Sequence, residues 1–587
     1  MLGQQAVLLC CCIYLCYATT SKPNIVFIMA DDLGWNDVGF HNPKVRTPNI
    51  DRLAERGIEL TSNYASPICS ASRAALMTGK YPSNNGVQHL VLFAQSKACL
   101  PLEHKLLPEY MKDEGYVTKM LGKWHLGYCM EECLPKQRGF DEFRGVLGGE
   151  SGYYNWEQGG VVNKYINNTA SIPNAANPTH LAIQDKIDVR DMILAHRGNA
   201  NPLFMVVAPT TPHVPLQATT EMYNVHSFLN SRDPRQHQRR TYLGLVSALD
   251  DIVGATVQAL TDIGVIDNTV IVFQSDNGGK SIRTSAGNNY PLRNGKVTPY
   301  EGGVRSPTIY VDPRLSRSVR GSDRDFLMHI TDWLPTFLSL AHSSVALADI
   351  DGLSQLTNLG NTYDTEDRYS IREKMLVNMD TYEYSRSSYE CTNRDAALRY
   401  KDWKLITGKK TTWTSDENPS DVYRKPEESP EVPTITGDSC VTGSGWQQEI
   451  KCLFNVRDDP SERHNKYDSE PDVVKQLQEM IEMEKCNIVK EVFHSGLGRT
   501  YYTTQKVGSV YIPKLPYCVS SDFPLKSNKR SCYRQTRRNL RDYGLPRSTY
   551  ASCRSATVAH SVSFSRISEY LLSLLQFVLP GFILIIF

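Results

Sequence analysis

Four largely apolar runs punctuate the chain: Asn24-Ile-Val-Phe-Ile-Met-Ala30, Tyr116-Val-Thr-Lys-Met-Leu-Gly122, Pro202-Leu-Phe-Met-Val-Val-Ala208 and Thr269-Val-Ile-Val-Phe-Gln-Ser275. They are continuous rather than alternating, so each reads as a strand buried on both faces. Tyr242 to Leu260 instead spaces its apolar residues as a helix does, at Leu245, Leu249, Ile252, Val253 and Leu260. It leads through Asp262-Ile-Gly264 into the fourth run, a helix-to-strand unit of the α/β type. The pattern predicts a large α/β domain over about 22–375, with a central sheet, and a smaller α+β domain over about 376–515. Within the latter, Thr411 to Gly445 is rich in Ser, Thr, Pro and Glu and is expected to be a long surface loop. No internal repeat is visible.

Each strand runs out into chemistry. The first ends in Asp31 and Asp32, the fourth in Asp276-Asn277-Gly278-Gly279, the second in Lys123-Trp124-His125 and the third in Thr211-Pro212-His213. In open α/β sheets, sites form just beyond the carboxyl ends of the strands. Adjacent carboxylates repel unless a cation holds them, and a hard divalent ion such as calcium takes oxygen ligands from carboxylates and amides. Either acidic pair alone also suits a solvated loop; two pairs at the ends of two buried runs favour a metal site. Lys296 follows in Tyr290-Pro-Leu-Arg-Asn-Gly-Lys-Val-Thr-Pro-Tyr300.

The most specific stretch is Ser66-Pro-Ile-Cys-Ser-Ala-Ser-Arg-Ala-Ala-Leu-Met-Thr-Gly79. It resembles the signature at which sulfatases convert a cysteine, here Cys69, to formylglycine, the aldehyde whose hydrate attacks sulfate esters. Other blocks resemble the same family, in particular its arylsulfatase B (N-acetylgalactosamine-4-sulfatase) branch: Ala30 to Phe40, Arg46 to Asp51, Gly122 to Gly127, Ser275 to Gly279 and Glu301 to Arg305. Asp402 to Ile406 and Leu453 to Pro460 extend it, so the resemblance covers roughly Pro23 to Asn465. It implies an alkaline-phosphatase-like mixed sheet with a smaller C-terminal domain. It also implies that Asp31, Asp32, Asp276 and Asn277 bind one calcium ion beside Cys69, with magnesium left open. Arg73 would hold the formylglycine, His125 would assist at its hydroxyl, and Lys123, His213 and Lys296 would surround the sulfate and its leaving oxygen. One hydroxyl of the hydrate would displace the alcohol; collapse of the other would expel sulfate. The implied substrate is a sulfated sugar or glycosaminoglycan of the N-acetylgalactosamine 4-sulfate type, with specificity in loops such as Ser151 to Tyr165. The implied maturation partner is the formylglycine-generating enzyme. The family usually carries Pro two residues after the modified Cys; this chain has Ala71, as some members do. A phosphoesterase of the same superfamily and an unmodified glycan-binding relative remain the alternatives, although Cys69 with Arg73 favours sulfate.

Composition adds an address. The 587 residues carry a net charge of +1, and no nucleic-acid partner is expected. Residues 1–20 read as a secretory signal peptide around the apolar block Leu8 to Tyr17. Of 15 cysteines, four leave with that signal and Cys69 would be modified, so ten remain for disulfides in an oxidising compartment. The resemblance pairs Cys99 with Cys133. Asn167-Asn168-Thr169 is a glycosylation sequon. Residues 516–569 form a basic stalk, with nine Lys or Arg and one Asp between Lys526 and Arg554. Residues 570–587 are a hydrophobic tail, either a GPI-anchor signal or a membrane anchor. The expected location is the secretory pathway, ending at the cell surface or outside the cell, with the lysosome as an alternative.

Overall fold

The computed structural model describes residues 22–88, 91–94, 96–167, 169–171, 179–280, 285–360, 372–380, 395–409, 440–442, 449–485, 487–489, 504–507 and 510–513. The signal peptide, the basic stalk and the hydrophobic tail lie outside these residues, as does most of the Thr411–Gly445 loop.

The four apolar runs form the middle of one sheet. Its strands are β1 (Asn24–Ala30), β2 (Ile58–Leu60), β3 (Val117–Gly122), β4 (Glu142–Val146), β5 (Lys164–Ile166), β6 (Thr169–Ala170), β7 (Leu203–Ala208), β8 (Thr269–Ser275), β9 (Thr308–Val311) and β10 (Ser322–Arg324). They lie in the order β10-β2-β9-β8-β1-β7-β3-β4-β5-β6. The five strands from β8 to β4 are parallel, and β9 and β5 turn antiparallel on either side of them. The sheet is therefore mixed, as expected. A parallel block buries both faces because its crossovers lay helices on each side.

Strand β1 shows why its run is continuous. Ile25, Phe27 and Met29 face one core layer, and Val26, Ile28 and Ala30 face the other. The first layer is closed by α2 (Cys69–Thr78) and α5 (Trp333–Leu340); Phe27 meets Trp333 edge-on at 6.0 Å. The second is closed by α1 (Pro48–Arg56), α3 (Leu181–Leu194) and α4 (Pro234–Asp262). Burying a side chain such as Phe27 contributes roughly 1.5–3 kcal/mol.

Helix α4 starts well before the periodic stretch at Tyr242. Asp233 caps it, accepting from the amides of Arg235 and Gln236, and Pro234 fits its first turn. The segment Arg235 to Arg240 has no apolar stripe, which hid these turns from a reading based on periodicity.

The smaller sheet opens at Lys374, just ahead of the expected boundary. It comprises β11 (Lys374–Asp380), β12 (Asp395–Tyr400), β13 (Trp403–Lys409), β14 (Val441–Thr442) and β15 (Glu449–Asn455), antiparallel in the order β11-β12-β13-β15-β14. Helix α6 (Pro471–Glu484) packs on it through Val474, Leu477 and Ile481. The same core layer takes in Tyr64, Tyr81, Tyr300 and Val304 of the large domain. A short hairpin, β16 (Thr504–Val507) with β17 (Val510–Pro513), follows.

Candidate active site

Parallel neighbours deliver their carboxyl ends to one place, so the segments after β1, β8, β7 and β3 converge. All ten residues singled out from the sequence are brought together there, and each is buried. Extended backbone would send Asp31 and Asp32 to opposite faces. Instead Asp32 takes a φ of 66°, and carboxylate oxygens of both residues come within 4.8 Å of Cys69 Sγ and a His213 ring nitrogen. Tyr242 of α4 steadies this bend by donating to the Asp32 carbonyl at 2.9 Å.

Each acid has its own cation. Lys123 Nζ lies 2.9 and 2.8 Å from the two Asp31 oxygens, and Lys296 Nζ lies 2.6 Å from Asp32 Oδ1. Arg73 reaches Asp276 Oδ2 through Nε at 3.1 Å and Nη2 at 2.8 Å, and its Nη1 donates to the Lys123 carbonyl at 2.6 Å. Burial alone would raise the Asp32 carboxyl, but Lys296, His213 and Lys123 outweigh it and hold the group below the usual range. Asp276 shifts the other way: burial and the nearby Asp31 raise it against the pull of Arg73. Burial tends to strip the proton from Lys296, but the Asp32 carboxylate keeps its pKa well above the usual lysine value.

Cys69 opens α2, and Arg73 follows one turn later on the same side of the helix. The thiol lies 3.8 Å from Asp31 Oδ1. Burial pushes it up to about 12, more than Lys123 and Lys296 can offset. A thiol held protonated is a poor nucleophile. Neighbouring Ser70 donates to the His125 carbonyl at 3.0 Å and ties that segment to α2. His125 has a φ of 55°, and its buried Nδ1 has no hydrogen-bond partner among the described residues. Its ring packs so closely on Gly149 that a β-carbon there would stand 2.4 Å from Nε2. Burial and Lys123 keep the ring neutral. His213 shares a hydrogen bond with the Val214 carbonyl through Nδ1 at 2.7 Å and places Nε2 3.6 Å from Asp32 Oδ2. Burial and Lys296 push it down to about 3.

Three supporting residues were not picked out from the sequence: Ser70, Tyr242 and Tyr153. Buried Tyr153 donates to the carbonyls of Thr210 and His213, both at 3.0 Å, and stacks on His180 at 4.9 Å. Its only prior signal was its place in the Ser151–Tyr165 loop.

A divalent cation fits this donor set. Three carboxylates and one amide lie together, and buried Asn277 Oδ1 accepts no hydrogen bond among the described residues while its Nδ2 donates to Asp32 Oδ1 at 2.8 Å. An acceptor left bare beside carboxylates is a ligand oxygen for a hard ion. The chemistry available is electrophilic: two lysines, an arginine and a donor set that suits a cation surround Cys69, an arrangement suited to an anionic ester.

The disulfide expected between Cys99 and Cys133 is present, and Cys440 pairs with Cys452. Asn167 of the sequon lies at the β5–β6 turn, partly exposed.

Residues 23–343 match the family model described as Sulfatase. Mouse arylsulfatase J is 34% identical over 480 residues, which cover 78% of this chain and 75% of that protein. Human N-acetylgalactosamine-6-sulfatase is 33% identical over 362 residues, covering 57% and 66% respectively. The solved structure of Ps i-CgsB in complex with k-i-k-neocarrahexaose superposes with a TM-score of 0.64 at 28% identity, covering 82% of this chain and 98% of that one. With a family match across most of the large domain and a relative this similar along most of its length, the chain belongs to the sulfatase family, the sulfuric ester hydrolases.

Proposed function

We propose that this chain hydrolyses the sulfate ester of a glycosaminoglycan-type sugar, of the N-acetylgalactosamine 4-sulfate type, using formylglycine made from Cys69 and one bound calcium ion. The observation that carries the reading is Cys69 at the head of α2, with Asp31, Arg73, Lys123 and Lys296 gathered around it. Asp31, Asp32, Asp276 and Asn277 would hold the ion, which when bound would polarise a sulfate oxygen as a Lewis acid. Formylglycine, when formed, supplies an oxygen nucleophile as its hydrate and a route to release sulfate.

The chain's own residues do the rest. Lys123 and Lys296 meet the negative charge of the sulfate group in a buried site, where such charges act strongly. Arg73 orients position 69 from one turn along the helix. His125 offers its bare Nδ1 to the hydroxyl at position 69. Lys296, kept protonated by Asp32, would protonate the departing sugar oxygen, with neutral His213 beside it on the Asp32 side. The resemblance to 4-sulfatases supports the 4-sulfate; the similarity to an N-acetylgalactosamine-6-sulfatase makes the 6-sulfate the comparison to run. The disulfides support maturation in the secretory pathway, where a formylglycine-generating enzyme would act. We propose the cell surface or the extracellular space as its destination, with the lysosome as the alternative.

The test is mass spectrometry of the tryptic peptide Gly57 to Arg73 from the full chain secreted by a eukaryotic cell, followed by sulfate release from 4-sulfated and 6-sulfated N-acetylgalactosamine disaccharides. Formylglycine at position 69 with faster release from the 4-sulfate is expected. An unconverted thiol would sink the mechanism, and preference for the 6-sulfate would overturn the substrate.

A further inference from the structure

A cavity of about 520 Å3 opens beside the catalytic cluster. One wall is Val214 and Pro215, immediately after His213, whose ring is hydrogen-bonded to the Val214 carbonyl. Lys280 also lines it and follows Gly279, whose carbonyl accepts from the Lys296 amide at 3.2 Å. The first turns of α4 add exposed His237 and half-buried Gln238 and Thr241. The cavity thus borders the chain segments that carry His213 and Lys296, the two residues that flank the leaving oxygen in the proposed reaction. Its size suits a sugar ring, since small-molecule sites run from roughly 300 to 1,000 Å3.

Its charge is one-sided. Among the described residues no carboxylate lines it. The cations of the catalytic cluster each face an acid, Lys123 on Asp31, Lys296 on Asp32 and Arg73 on Asp276. The partly exposed Lys280 ammonium, by contrast, has no ion pair or hydrogen bond among the described residues. His237 shares a hydrogen bond with Tyr223 Oη through Nδ1 at 2.8 Å, which orients its ring. Gln238 and Thr241 bring an amide and a hydroxyl, which suit sugar hydroxyls, and Pro215 offers an apolar surface for a ring face. A concave site lined by one sign of charge concentrates ligands of the other sign. Another cavity, about 170 Å3, lies by Thr269 at the opposite end of β8 and is lined by none of these groups.

We propose that this cavity is a second subsite, which binds the sugar next to the one carrying the scissile sulfate and holds that neighbour's anionic group on Lys280. The inference rests on the reading that the site acts on a sulfated sugar chain. The shared chemistry is an anion on the neighbouring ring, either a uronate carboxylate or a further sulfate. Lys280 is a specificity residue in this scheme and takes no part in bond breaking.

Binding can be separated from turnover. The full chain carrying Cys69→Ala is titrated by calorimetry with three sulfated disaccharides, whose second ring carries a carboxylate, a sulfate or no charge. Tighter binding of the charged pair is expected, and adding Lys280→Gln is expected to weaken both by about tenfold while leaving the uncharged one unchanged. Lys280→Arg should restore most of the loss, and raising the salt should shrink the difference. The ratio between the two charged ligands tells which anion the subsite prefers. Equal affinity for all three disaccharides would overturn the subsite, as would a Lys280→Gln loss that is the same for the uncharged one. The underlying reading is checked separately: if the unmutated chain releases no sulfate from a small aryl sulfate, the reaction has failed, whatever the binding shows.

Discussion

At the residue scale, the site works through pairing and bareness. Three acids are matched by three cations, and Asn277 Oδ1 and His125 Nδ1 have no partners among the described residues, where a cation and a hydroxyl are expected. The matching matters because buried charges without counterparts are costly. Tyr153 illustrates a residue outside the proposed reaction that fixes the backbone of one inside it, His213. Its hydroxyl joins the Thr210 and His213 carbonyls, on either side of Thr211-Pro212. Tyr153→Phe is expected to cost about 1 kcal/mol of stability for a lost hydrogen bond and to lower kcat for an aryl sulfate by roughly tenfold as His213 loses its placement. Unfolding curves and steady-state rates on the same preparation check it. A stability loss with unchanged kcat would assign Tyr153 to packing alone. The motif around Cys69 was legible without any fold, because its residue types and spacing are dictated by chemistry. Tyr153 was not, because nothing local marks a tyrosine whose partner lies some sixty positions along the chain.

At the element scale, the apolar runs were readable as strands because a strand buried on both faces must be apolar throughout. The polar residues that end them then had to lie at one edge of the sheet. Harder to read was how the smaller domain grips the segment carrying Lys296. Lys404 of β13, fully buried, lies 2.8 Å from Glu301 Oε1 and 2.5 Å from Glu462 Oε1, and donates to the Pro299 carbonyl at 3.1 Å. Glu462 accepts from the Glu301 amide at 2.7 Å, and its carbonyl accepts from Arg293 at 2.9 Å. Both ends of the Arg293–Glu301 segment are therefore fastened to the smaller domain, with Lys296 between them. Two acids beside one lysine split their behaviour: despite burial, Lys404 and Arg305 hold Glu301 below the usual range, while burial pushes Glu462 up to about 7. Lys404→Met is expected to destabilise the chain by about 3–5 kcal/mol, since it leaves a buried carboxylate unpaired. Chemical denaturation of the full chain measures this; a loss below about 1 kcal/mol would mean that the acids settle by sharing a proton.

At the scale of the whole molecule, titrations add up. His104, His125, His180, His196, His213 and His329 are all held below the usual imidazole range, in each case chiefly by burial. The unfolded chain takes up protons at these positions near pH 6.5 while the folded chain does not. The stability they contribute is therefore present above about pH 6.5 and lost as the pH falls through and below it. Acids raised by burial act in the opposite sense: Asp51, Asp185 and Asp276, together with Asp250 and Asp351, pushed up to about 6, and Glu462, pushed up to about 7, protonate in the folded chain first. The six histidines all titrate in the unfolded chain inside the interval from pH 5 to 7, and the unfolding temperature is expected to be lower at pH 5 than at pH 7. A scan in matched buffers decides it, and a higher value at pH 5 would show that the acids dominate.

By itself, the sequence determined the class of the fold, the four strands whose ends make the site, the ten residues found there and the family to which they point. These are local or periodic properties: burial on both faces demands unbroken apolar runs, and the chemistry of sulfate transfer demands particular side chains in a particular order. Tertiary structure alone decided which acid meets which cation, because Asp31 with Lys123, Asp32 with Lys296 and Asp276 with Arg73 pair across different strands and loops. It also decided that Lys404 and Glu462 brace the Lys296 segment and that Lys280, which has no ion pair among the described residues, lines a cavity. Such facts depend on distances between segments far apart in the chain, and no composition or spacing encodes those until the sheet has closed its layers.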